Sequence, residues 1–199
     1  MISEKMQKAL SEQINWELYS SYLYLSMSSH FHSVNLGGFA SWMRVQAQEE
    51  LLHAIKFYDF VHERGGKVLL QPVKAPPSDW NSPLAAFEAV VKHEFVLLAF
   101  ANMKITYHLA TELGQRDPRR PQLQFAGLRP AQGEHLVQQV AHALGGILDA
   151  AQQVEEEASA NEVVQKLRLI GDAGGGIFML DRELAQRVFT MPAAAEGKS

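Results

Sequence analysis

"FASWMRVQAQEELLHAIKFYDFVHER" (39–64) runs without Gly or Pro and is closed by Gly65-Gly66. At helical spacing, Phe39, Met43, Gln46, Glu50, His53, Phe57 and Phe60 form one stripe, with Ala47 and Ala54 beside it. The stripe is apolar at both ends, so it faces a core. Glu50 and His53 sit in its middle, three residues apart and one above the other. Glu49 falls one residue off the stripe and is ordinarily solvated. A carboxylate and an imidazole pointing inward need a reason, because an unpaired buried charge is very costly.

Breakers divide the rest of the chain into similar pieces. Ser3 is an N-cap for a helix reaching about His32, and "NLGG" (35–38) separates it from the second. The proline-rich link 65–83 reads as extended, and Ser82-Pro83 opens a third helix that reaches Gly114. A fourth helical piece runs from about Glu134 to Ile170. "GDAGGG" (171–176) precedes a short amphipathic helix from Ile177 to about Phe189, and "MPAAAEGKS" (191–199) is a flexible tail. "KVLLQPV" alternates weakly, but it contains a proline and has no partner run. The expected architecture is all-α, a four-helix bundle with a short fifth helix. The short first turn makes helices one and two antiparallel, and the long link lets helices two and three run parallel.

The other inner stripes also carry carboxylates. The first helix offers Leu10, Ile14, Glu17, Ser21, Tyr24 and Ser28; the third offers Leu84, Phe87, Val91, Glu94, Leu98, Ala101 and Ile105. Counting from the connections puts Glu17, Glu50 and Glu94 within about two turns of one level. A single glutamate on such a stripe is ordinarily a bundle-end residue whose head reaches water. Three at one level on three helices, with a histidine, call for protons or a cation. Oxygen and imidazole donors without thiolates form the ligand set of a non-haem di-iron or di-manganese site. Glu50, central among them, is placed to bridge two metals. Tyr24 shares a face with Glu17, where it can be plain core, hydrogen-bond a ligand or donate an electron. His30, His32, His62, His108, His135 and His142 have no such company and are read as surface or satisfied polar residues.

Bulk properties narrow the partners. A formal net charge of -4 with no basic run argues against nucleic acid. The absence of cysteine removes thiolate ligands and disulfides. No stretch approaches the length of a membrane span, and the N-terminus lacks the apolar run of a signal peptide, so a cytoplasmic location and no membrane partner are expected.

"NWELYSSYLYLSMS" (15–28), the 42–66 stretch and "GDAGGGIFMLDRELAQR" (171–187) are similar to bacterial non-haem ferritins. The resemblance runs to about Gly114 and resumes near Val154. It implies a ferritin-like domain over 1–190 that oxidises Fe(II) with dioxygen or peroxide at a di-iron ferroxidase centre. It also implies a 24-subunit homo-oligomeric shell storing ferric mineral, with the fifth helix lining a symmetry axis. Carried over, Glu17, Glu50 and His53 hold the first iron, and Glu50, Glu94 and Glu156 the second. Gln153 lines the site and Tyr24 takes a catalytic role. Glu49 and Glu155 belong to a peripheral third site, whose further acidic ligand falls on Gln152. Haem is not expected, because Leu51-Leu52 and Ala158 stand where haem-containing relatives carry Met and His ligands.

The stretch 115–153 departs from the family. Its stripe Leu136, Val140, Leu144, Ile147, Ala151, Val154, Ala158 lies nearly opposite the stripe Ala160, Val163, Leu167, Ile170 that contains Glu156. One straight rod cannot bury both, so 115–153 reads as an insertion or a frame-shifted segment. Three functions follow: an iron-storage ferroxidase; a structural, iron-binding shell subunit with an impaired ferroxidase centre; and a di-iron peroxidase of the rubrerythrin type, disfavoured by the missing cysteines.

Overall fold

The protein is described by a computed structural model over residues 2–94, 150–171 and 173–190, with 150–157 described as backbone alone. Five helices lie in these residues: α1 (Glu4–Ser33), α2 (Gly37–Glu63), α3 (83–94), α4 (Ala150–Ile170) and α5 (Gly174–Leu184). No strand occurs among the described residues. The expected entry of the fourth helix at Glu134, the departure over 115–149 and the 191–199 tail fall outside them.

The caps follow local chemistry. The Ser3 hydroxyl accepts from Met6 N at 3.2 Å, and the Ser82 hydroxyl accepts from Ala85 N at 3.1 Å, as expected of Ser at these N-caps. Both α1 and α2 end on a left-handed residue, Asn35 (φ 60°) and Gly65 (φ 69°). In each case the next amide reaches back into the helix, Leu36 N to Phe31 O at 3.0 Å and Gly66 N to Val61 O at 2.8 Å.

The extended link climbs α1 from end to end. Lys67 N donates to Gln7 Oε1 (2.8 Å), Leu69 N to Ser11 Oγ (3.2 Å) and Ser26 Oγ to Pro77 O (2.6 Å). Trp80 then meets His30, so α3 begins beside the start of α2 and runs parallel to it. All nine residues of the α2 stripe are buried, as are all six named on α1. The serines on the α1 stripe have a packing reason: Ser21 and Ser28 donate to the Ala47 and Ala40 carbonyls of α2 at 2.7 and 2.8 Å. On α3, Phe87 and Val90 are fully buried, whereas Leu84 and Val91 are half-buried, a slight rotation from the expected stripe. On α4, Ala160, Val163 and Leu167 are buried and Ala158 is exposed, so the downstream stripe is the one that packs.

Two apolar clusters fill the bundle. One is built on Phe31, Phe39, Trp42, Phe87 and Leu167; the other on Met6, Leu10, Ile14, Phe57 and Val61. Glu17 and Ser21 on α1, and Glu50 and His53 on α2, lie between them in sequence.

The short last helix begins at Gly174, before the expected Ile177, and ends at Leu184, before the expected Phe189. Its glycines enter the first turn because the Ala173 carbonyl accepts from both Gly176 N and Ile177 N. Tertiary contact holds it in place. Leu36, the N-cap of α2, has no side chain able to cap, and Asp181 of α5 supplies the missing acceptor. Its Oδ1 takes Gly38 N at 2.7 Å and Phe39 N at 3.0 Å, a carboxylate at the positive end of a helix. A Cβ built on Gly38 would fall onto the Asp181 backbone carbonyl, so only glycine permits this approach. Asp181→Ala is expected to lower the melting temperature by about 2–4 °C, from the loss of about 1 kcal/mol of capping. Gly38→Ala should cost more, because backbone must move; thermal melts by circular dichroism check both.

Candidate metal centre

Antiparallel packing of α1 on α2 brings Glu17 face to face with Glu50 and His53. One ligand atom from each of the three lies within 4.8 Å of the other two. His53 Nδ1 is 3.8 Å from Glu50 Oε2 and 4.0 Å from Glu17 Oε2. Glu17 and Glu50 are each only 1% exposed. Each carboxylate is oriented by a glutamine one turn earlier on its own helix. Gln13 Nε2 donates to Glu17 Oε1 at 2.6 Å, and Gln46 Nε2 donates to Glu50 Oε1 at 3.2 Å. Those bonds leave the opposite oxygens aimed at one another and at His53. Glu17 Oε2 is fully buried and has no hydrogen-bond partner among the described residues.

Electrostatics separate the two carboxyls. Burial, reinforced by the Glu50 charge, holds Glu17 well above its ordinary 4.5. Burial pushes Glu50 upward too, but hydrogen bonds and charge from His53, with help from Glu17 and Gln46, outweigh it and leave Glu50 below the ordinary value. Burial and the facing charge thus raise the proton affinity of Glu17 above that of Glu50, and a divalent cation offers the same compensation with more charge. An orphaned oxygen, a facing carboxylate and an imidazole fit a small hard-to-borderline cation.

Glu94 reaches the layer from α3, where Tyr24 Oη donates to its Oε1. It is not one of the close triplet. Tyr24 is fully buried, so the bond to Glu94 is made inside the bundle. His93, adjacent to Glu94, had no stripe or motif to mark it. Its Nε2 lies 2.7 Å from Ser20 Oγ, and Ser20 already donates to Trp16 O at 3.0 Å, so His93 is the donor. Burial lowers its proton affinity against the opposing Glu50 charge. Glu49 is taken by a residue from the far end of the chain: Arg187 Nη2 donates to its Oε2 at 2.6 Å. Gln153, Glu155 and Glu156 belong to the α4 backbone, and their side chains fall outside the described residues. Of the remaining histidines, His32 and His62 are exposed and His30 lies 3.9 Å from Asp79. His108, His135 and His142 are outside the described residues.

Residues 7–112 match the profile of the family described as Ferritin, a ferritin-like domain. The matched span ends just ahead of Gly114. The bacterial non-heme ferritin of Bacteroides fragilis is 35% identical over 94% of this chain and 100% of its own length. That of Campylobacter jejuni is 30% identical over 92% and 93%. Among solved structures, an engineered closed form of the Archaeoglobus fulgidus ferritin superposes with a TM-score of 0.73 at 46% identity, covering 96% of this chain and all of that one. The open-pore ferritin of the same archaeon superposes at 0.71, also at 46% identity, over 94% of this chain and 99% of that one.

The raised Glu17 proton affinity makes a signed prediction. Above pH 4.5 the native state holds a proton that the unfolded chain has released, so metal-free stability from this group falls as pH rises. Glu17→Gln removes that slope. Metal-free Glu17→Gln should melt above wild type at pH 7, with the gap closing toward pH 4.5. Melting curves across pH in chelator check it.

Proposed function

The chain belongs to the ferritin family, and on that premise we propose that it is an iron-storage protein that oxidises Fe(II) to Fe(III) at the Glu17, Glu50 and His53 layer. The observation that carries this reading is the buried, partnerless Glu17 Oε2 facing Glu50 and His53. Iron is the substrate and cargo; dioxygen or peroxide accepts the electron that each Fe(II) gives up. Glu17, Glu50 and His53 hold the first ion, with Glu50 the bridge toward a second held also by Glu94 and Glu156. Carboxylates are hard donors and favour the higher-charged product, which is differential binding of the kind that drives oxidation. Tyr24 holds Glu94 and is a candidate donor of an extra electron, while Gln153 lines the site. Arg187 competes for Glu49, which leaves a peripheral third iron on Glu49 and Glu155 outside this reading. Haem has no place in it.

A homo-oligomeric shell, with 24 copies as the family resemblance implies, is supported by apolar side chains left in water. Tyr22 and Leu25 on α1 and Leu69 and Leu70 on the crossover are 45–61% exposed, and Phe178 and Met179 on α5 similarly so. Among the described residues no helix is long and apolar enough to cross a membrane, and the proposed location is the cytoplasm. A second reading draws on one observation: the family profile matches only as far as residue 112, although whole ferritin relatives align across most of the chain. It takes the chain as a structural, iron-binding shell subunit whose ferroxidase centre is impaired.

Aerobic Fe(II) oxidation measured with particle size on one preparation separates the two. The first reading predicts assembly with fast oxidation that Glu50→Ala abolishes; the second predicts assembly with slow oxidation. Unchanged oxidation in Glu50→Ala would refute the assigned site. Tyr24→Phe keeps the buried ring but loses the donor to Glu94, and should slow oxidation several-fold while leaving assembly intact.

A further inference from the structure

Arg187 lies beyond the last helix, yet its guanidinium is lodged against the middle of α2. Nη2 donates to Glu49 Oε2 at 2.6 Å and Nη1 to Gln46 Oε1 at 2.8 Å, with Cζ 4.5 Å from the centre of the Trp42 ring. The side chain is 22% exposed and that of Glu49 19%, so the pair is largely shielded from water. Three recognitions by one planar cation fix its position far better than a single surface ion pair would. Lysine, a point charge, could not make all three.

The consequence passes through Gln46. An amide has one acceptor end and one donor end. Arg187 takes the carbonyl end, which leaves the amino end turned toward Glu50 Oε1 at 3.2 Å. Without the guanidinium, a flipped Gln46 would present its oxygen to the Glu50 carboxylate and repel it.

We propose that Arg187 is a positioning residue: through Gln46 it fixes the orientation of the Glu50 carboxylate for metal, and by pairing with Glu49 it withholds that carboxylate from metal ligation. The inference rests on the proposed metal site at Glu17, Glu50 and His53. It assigns the C-terminal segment a part in metal affinity that its distance in sequence conceals. A group hydrogen-bonded to a ligand, the place Gln46 holds against Glu50, typically changes metal affinity by about 10–100-fold when removed.

The test is anaerobic Co(II) titration of the full-length assembled protein, followed by the absorption bands of the bound ion. Arg187→Gln should weaken the tightest Co(II) site by about 10-fold or more. Arg182→Gln, which removes an exposed cation from the last turn of α5, should stay within about twofold of wild type. In a Gln46→Met background, Arg187→Gln should cost less than about twofold, because its route to Glu50 is already gone. Arg187→Lys, which retains the charge should Arg187→Gln disturb the fold, should lose an intermediate amount. Equal affinities in wild type and both Arg187 variants overturn the inference, as does a full loss that persists in the Gln46→Met background. A wild-type protein that takes up no Co(II) overturns the metal site itself and this inference with it, a result distinguishable from the other two.

Discussion

Two carboxylates from neighbouring helices face each other inside the bundle with water excluded, and most of the site's chemistry follows from that opposition. Left alone, Glu17 and Glu50 would repel across a low-dielectric gap, and neither could stay charged at modest cost. The structure answers with a raised proton affinity at Glu17, an imidazole beside Glu50 and a glutamine amide on one oxygen of each. The inner oxygen of Glu17 has no hydrogen-bond partner among the described residues, and a protein optimised only for stability would have apolar residues there. Apolar residues fill both ends of the same stripes, so the polar layer is tolerated because the packing on either side holds α1 and α2 in register. The Ser21 and Ser28 bonds to α2 carbonyls add directional anchors to that register.

The end of the chain supports α2 at two points. Asp181 caps its first turn, where the local sequence offers no capping side chain, and Arg187 braces Gln46 and Glu49 further along. The helix that carries two of the three close ligands is therefore fixed from outside the bundle as well as from within. A charged residue at each contact also makes docking of α5 directional, which apolar contact alone would not.

Much of this was legible in the sequence because it depends on period. Buried positions of α1 and α2 recur at 3.6 residues, and Glu17, Glu50 and His53 could be placed inward by phase alone. Their common level followed from connection lengths, since helices rise uniformly. What could not be read depends on contacts between distant segments. Asp181 looks like an ordinary surface acid until α5 is laid on the start of α2. Arg187 lies in what reads as the last turn of a helix, and only the fold shows it spanning Glu49 and Gln46. His93 sits off the apolar stripe of α3, and its value comes from Ser20 on another helix. The start of α5 was hidden for another reason: glycines weaken a helix by propensity, yet the Ala173 carbonyl accepts from Gly176 N and Ile177 N and closes the first turn around them.

The proposed function depends on the Glu17, Glu50 and His53 layer being a metal site and not a neutral polar layer. Crystals soaked anaerobically in Fe(II), with anomalous scattering recorded on both sides of the iron edge, test it most directly. A metal site there gives an iron peak bonded to Glu17, Glu50 and His53 Nδ1. No peak in that layer, with iron bound only at surface carboxylates, would contradict it.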